Sequence, residues 1–101
     1  MRPGATGESI DQAARAVIAE GGYGPQFLHR TGHGLGLEVH EPPYIVAGSR
    51  APLAVGTTFT VEPGIYLAGQ CGVRIEDDVV VAEDGVESLT SFERDLIIVK
   101  G

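Results

Sequence analysis

The chain has 101 residues, 43% of them hydrophobic, and seven basic against fourteen acidic side chains give it a formal charge of -7. That length supports one small domain with one core and excludes two, while the negative charge opposes phosphate backbones and anionic membrane surfaces, so neither nucleic acid nor membrane is expected as a partner. No apolar run approaches the roughly 18 residues that span a bilayer and the start lacks a signal-peptide pattern, which points to a soluble, cytoplasmic protein. Cys71 is the only cysteine, so an internal disulfide and a thiolate zinc knuckle are both excluded, and the residue reads as a small loop or core filler.

In chain order, Ile10, Ala13, Ala14, Val17 and Ile18 recur on one face and predict an amphipathic helix from about Ser9 to Glu20. Thr6 or Ser9 can cap it, Ser9 and Gln12 having the capping-box spacing, and Gly21-Gly22 stops it. Leu37-Glu38-Val39-His40 alternates like a strand until Pro42-Pro43 interrupts the ladder. Thr58 to Glu62 alternates again, with Phe59 and Val61 toward a core, Thr60 and Glu62 away from it, and a turn at Pro63-Gly64. Arg74 to Ala82 predicts a third strand, closed by Glu83-Asp84-Gly85, and Asp95 to Val99 a short last one. The elements add up to one α+β unit with a mostly antiparallel sheet.

Chemistry concentrates in five side chains. All three histidines, His29, His33 and His40, fall within twelve residues, and Glu62 and Glu76 follow. Neutral imidazole and ionised carboxylate are the usual ligands of borderline divalent ions, so metal-assisted hydrolysis leads the functional readings. Glu62 precedes Pro63, which restricts its backbone to an extended shape and helps to aim the side chain; a water-facing turn carboxylate is its bland alternative. On a regular strand Arg74, Glu76 and Asp78 share one face, with Arg74 orienting carboxylates or forming a plain salt bridge. Asp77 points the other way, into a turn, bulge or ion pair. Gly32, Gly34 and Gly36 permit close backbone approach, but they are not a phosphate-binding fingerprint, because the lysine and the following helix are missing.

Three segments in order, Gly32-His33-Gly34-Leu35-Gly36-Leu37-Glu38-Val39-His40-Glu41, Val61-Glu62-Pro63-Gly64 and Gly72-Val73-Arg74-Ile75-Glu76-Asp77-Asp78, carry a family resemblance. The chain resembles the C-terminal half of the catalytic domain of creatinase/aminopeptidase metallopeptidases, nearest to Xaa-Pro dipeptidases and Xaa-Pro aminopeptidases. The resemblance implies residues 1–101 as one part of a pita-bread fold, a curved and mostly antiparallel sheet with a packed helix. It also implies hydrolysis of the N-terminal peptide bond of Xaa-Pro peptides with divalent metal ions, two per complete site, as manganese, cobalt or zinc. In such enzymes two aspartates, one histidine and two glutamates hold the pair; His33 matches the histidine, Glu62 the first glutamate and Glu76 the bridging one. His29 and His40 match histidines near the substrate and the tetrahedral intermediate, and Arg74 an active-site arginine of proline-specific members.

Both family aspartates precede the glycine-histidine motif by many tens of residues, whereas Asp11, the only upstream aspartate here, lies in the predicted helix and matches neither. The expectation is therefore a half-site, inactive alone, whose partners are a small peptide substrate and either the missing N-terminal half or a second copy. The alternative is a catalytically inactive pita-bread fragment acting as a binding or interaction domain.

Overall fold

A computed structural model describes residues 4–100. Helix α1, Gly7–Glu20, starts two residues before the predicted Ser9 because Thr6 is the cap: Ser9 N–H donates to Thr6 Oγ1 at 3.1 Å, and Ser9 Oγ accepts from Thr6 N–H at 3.1 Å. The reciprocal box is thus Thr6 with Ser9, not Ser9 with Gln12. The buried stripe is also rotated from the predicted face. Ile10 enters the core and Ala14 is half-buried, but Val17 is 71% exposed, while Gly7 and Asp11 are buried instead. A short 3-10 turn, Gly24–Gln26, follows.

Five strands, β1 (Gly32–Gly34), β2 (Glu41–Ile45), β3 (Thr58–Val61), β6 (Asp77–Ala82) and β7 (Gly85–Ser88), form one antiparallel sheet in the order β2-β1-β3-β6-β7. Strands β4 (Gly64–Leu67) and β5 (Cys71–Arg74) form a separate antiparallel hairpin. Ile10, Ile45, Leu53, Phe59, Val79 and Val81 make the core between α1 and the large sheet, with Val61 and Val86 packed against it. Phe59 and Val61 face this core as their alternation predicts, and Thr60 is buried on the other side.

Three strand expectations change. Leu37 to His40 is a bent, exposed loop, and the strand lies one segment later, through Pro42-Pro43. An edge strand tolerates proline because its outward N–H positions need no partner, and β2 is such an edge, its register shifting between His33↔Tyr44 and Gly34↔Glu41 to pass the two prolines. The predicted strand Arg74 to Ala82 is broken at Ile75-Glu76, where the chain leaves the hairpin for the large sheet. Asp95 to Val99 forms no strand and is exposed, its apolar residues finding no ladder among the described residues. Cys71 is exposed, at the start of β5 rather than in the core.

Candidate metal centre

His33 sits in the middle of β1, whose three residues are all buried. Its backbone N–H donates to Thr60 Oγ1 at 3.0 Å, and an added Cβ at Gly32 or Gly34 would overlap the carbonyl of Thr60 or of Pro42, respectively. Both glycines are therefore required for the tight approach of β1 to its neighbours. The His33 ring completes the arrangement. Nδ1 lies 2.9 Å from Gly34 O, and a carbonyl only accepts, so the proton is on Nδ1 and the Nε2 lone pair is free.

That lone pair faces Glu62 Oε2 at 3.4 Å. Glu62 follows β3 directly, and its N–H donates to Thr31 O at 2.6 Å, which ties the residue to the segment leading into β1. Glu76 lies on the link between β5 and β6, with its carboxyl near that of Glu62. Although Glu76 as a whole is exposed, partial burial of its carboxyl, then the charge of Glu62, holds its pKa above the ordinary glutamate value, with Arg74 pulling the other way. Two carboxylates and an imidazole lone pair turned toward one another repel unless a proton or a cation lies among them. The donor set therefore fits a divalent ion. Among the described residues no three His, Cys, Asp or Glu side chains are gathered tightly enough to form a ready-made cage; the contacts run pairwise, from His33 to Glu62 and from Glu62 to Glu76.

His29, His33, His40, Glu62 and Arg74 all line one open cleft of about 640 Å³, together with Arg30, Tyr44 and Val46. His40, on the loop before β2, meets His33 edge to face with ring centroids 4.5 Å apart. His29 is engaged through both nitrogens: Nδ1–H donates to Arg30 O at 2.6 Å, and Nε2 accepts from the Tyr66 hydroxyl at 2.8 Å. Asp77 takes no part in the cleft. Arg94 Nε and Thr90 Oγ1 donate to it, each at 2.7 Å, and those bonds hold its pKa below the ordinary aspartate value.

Sequence reasoning did not anticipate what braces this site. Asp11, 1% exposed, accepts from Thr31 Oγ1 at 2.8 Å and from Arg15 Nε at 2.9 Å. Arg15 also donates to Phe27 O at 3.1 Å and His29 O at 2.6 Å, and stacks on the Phe27 ring. Helix α1 is thereby bonded to the segment that carries His29. The only signal for this in the sequence is a charged i,i+4 pair, which ordinarily marks a solvated helix face.

Residues 1–83 match the pattern of Metallopeptidase family M24. The chain belongs to that family. A probable dipeptidase PepE of Mycobacterium tuberculosis is 54% identical over 99 residues, 98% of this chain and 26% of that protein. An Xaa-Pro dipeptidase of Lactobacillus helveticus is 49% identical over 98 residues, 97% of this chain and 27% of that protein. Among solved structures, an Xaa-Pro dipeptidase from Bacillus anthracis matches with a TM-score of 0.95 at 47% identity, over 98% of this chain and 28% of that one. The chain thus spans about a quarter of the length of the curated M24 relatives it matches, and its α+β layout is that share of the pita-bread fold. As an M24 chain it belongs with peptidases that use divalent metal ions.

Proposed function

We propose that this chain supplies His33, Glu62 and Glu76 to a two-metal exopeptidase site that hydrolyses the N-terminal peptide bond of Xaa-Pro peptides. In this reading it is inactive until a segment bearing two aspartates completes the site. The observation that carries the reading is His33 Nε2 facing Glu62 Oε2 at 3.4 Å, with the carboxyl of Glu76 near enough to feel the charge of Glu62. The names of the M24 relatives support the Xaa-Pro preference. Manganese is the ion we would try first, with cobalt and zinc beside it, and the cytoplasm is the expected compartment; among the described residues no helix is long and apolar enough to cross a membrane.

A bound divalent ion would lower the pKa of its water toward neutrality and polarise the peptide carbonyl. The remaining work falls to side chains. Glu62 and Glu76 would hold positive charge and attract the substrate's ammonium terminus. His40, packed on His33 and facing the cleft, is placed to donate a proton to a carbonyl oxygen as negative charge develops there. Arg74 offsets the Glu76 charge and offers N–H donors to the peptide group. His29, with both nitrogens engaged, holds Tyr66 in place at the edge of the cleft.

The second reading, an inactive pita-bread fragment that binds a partner, is favoured by one observation: Phe92, Leu96, Ile98 and Val99 are each at least 80% exposed. Calorimetric titration of the chain with manganese, cobalt and zinc, followed by an Ala-Pro cleavage assay with and without a segment bearing the two aspartates, separates the readings. We expect one weakly held ion that E76Q and H33A both release, and turnover only after complementation. Metal-dependent turnover by the chain alone would overturn the inactive-alone proposal. Failure to bind any of the three ions would leave the interaction-domain reading standing.

A further inference from the structure

Strands β3 and β6 run antiparallel with Val61 and Asp77 as their last paired residues, so Glu62 and Glu76 leave the ladder at the same end. Glu62 is tied back at once through its N–H to Thr31 O. Glu76 lies in no strand, and on its N-terminal side the nearest backbone bond is Ile75 N–H to Pro63 O at 3.3 Å. On its other side stands Asp77. Thr90 Oγ1 donates to Asp77 Oδ1 and Arg94 Nε to Oδ2, each at 2.7 Å, so both carboxylate oxygens are engaged and the side chain cannot turn freely. These donors come from residues 89–94, which follow β7 and fold back over the start of β6: Leu89 N–H donates to Asp78 O at 2.7 Å, and Ser88 Oγ to Thr90 O at 2.8 Å. Thr90 and Arg94 share a hollow of about 240 Å³ with Glu76 and Asp77. With the Arg94 side chain 54% exposed, the ion pair adds little to stability. Its consequence lies in what it holds still.

We propose that Thr90 and Arg94 are positioning residues of the metal centre: by pinning Asp77 they fix the peptide that joins it to Glu76 and narrow the swing of the Glu76 carboxyl. This rests on the metallopeptidase reading and deepens it. An ion arriving beside Glu62 then closes Glu76 onto itself at a smaller cost in conformational entropy. Partners that orient a metal ligand directly change affinity by about 10–100-fold; Thr90 and Arg94 act through one intervening residue, so an effect of about three- to tenfold is expected. The sign separates aim from charge. Arg94 is a cation in the same hollow as Glu76, so by Coulomb's law alone its removal would tighten the hold on a divalent ion. Loss of aim weakens it. Thr90→Val leaves every charge in place and removes only the hydroxyl that binds Asp77.

The test is calorimetric titration of the full chain with manganese, joined to NMR relaxation of the backbone amides in the metal-free chain. We expect R94Q and T90V each to weaken manganese binding about three- to tenfold, with melting temperatures close to that of the unsubstituted chain. T90S, which keeps the hydroxyl, should bind as the unsubstituted chain does, and R94K should recover part of the loss. R50Q, which removes a positive charge paired with Glu8 instead, should change nothing. Without metal, R94Q and T90V should both loosen the Glu76 amide and leave that of His33 rigid. Manganese binding by R94Q or T90V as tight as that of the unsubstituted chain, or a Glu76 amide unmoved in both, would each overturn the proposal. Should the unsubstituted chain take up no manganese while the Glu76 amide still loosens in both variants, the metallopeptidase reading falls and the clamp on Asp77 stands.

Discussion

The cleft has two walls held in different ways. His33 and Glu62 stand on β1 and at the end of β3, where the backbone is buried and cross-bonded: His33 N–H to Thr60, Glu62 N–H to Thr31, Thr31 to Asp11. Arg74 stands on β5, an outer arm whose four strand residues are all exposed and whose ladder is with β4 alone, and Glu76 stands at the exit of that arm, beside the cleft but not among its lining residues. On the first wall the donor atoms are aimed by folding. On the second no buried ladder aims them. In the proposed metal site, half of the geometry would be held before any ion arrives and the other half gained from it.

Substitutions in the two walls should therefore have unequal effects. The largest is expected at Phe59→Ala, which empties the centre of the core behind β3 and should cost about 3–5 kcal/mol in urea denaturation, whereas Val73→Ala, at a side chain 58% exposed on the arm, should stay within about 0.5 kcal/mol. Comparable losses would mean that the arm belongs to the same cooperative unit. Next comes Asp11→Ala, which leaves Thr31 and Arg15 without their acceptor and should cost about 1–3 kcal/mol; hydrogen exchange at the Glu62 amide should quicken while that at Val73 stays as it was. Thr6→Ala, which removes the helix cap, should cost about 1 kcal/mol by thermal melting and leave both walls in place.

The smallest effect concerns pH and belongs to the arm. Glu76 has a raised folded pKa, so its ionised form is disfavoured by folding, and the resulting cost is present at neutral pH and disappears as pH falls through the raised value. Glu76→Gln should therefore stabilise the metal-free chain slightly at pH 7 and not at pH 4. Asp77 runs the opposite way: its lowered pKa contributes stability above the unfolded value, lost as pH falls through the folded one. Matched melting curves at the two pH values for E76Q and D77N would show whether these opposed signs hold.

Much of the first wall was legible in the sequence and little of the second. Alternation from Thr58 to Glu62 reports a strand with Phe59 toward the core, and the glycines around His33 report backbone crowding; both features are local and both are found, although Thr60 on the opposite face is buried as well. The helix was legible for its length but not for its face, because its most buried polar residue, Asp11, is kept there by Thr31, twenty residues along the chain, a partner no periodicity reveals. Leu37 to His40 alternates without becoming a strand because alternation states a preference for a ladder and not the presence of a neighbour. The interruption at Ile75-Glu76 was hidden for a similar reason: the Val73–Ile75 alternation and the apolar run Val79-Val80-Val81 read as one strand across a point where the chain changes sheets.

The prolines of β2 bear on how copies of this molecule meet. Pro42 and Pro43 lie consecutively on the outermost strand at one margin of the large sheet, and neither has an N–H to offer. A second chain arriving there finds a gap in the donor row needed to extend the ladder, so the margin beside the histidines resists lengthening and the mouth of the cleft is kept clear of stacked neighbours. The opposite margin, Gly85–Ser88, has no proline. Sheet-to-sheet growth, where it occurs, is directed to the end farthest from the chemistry.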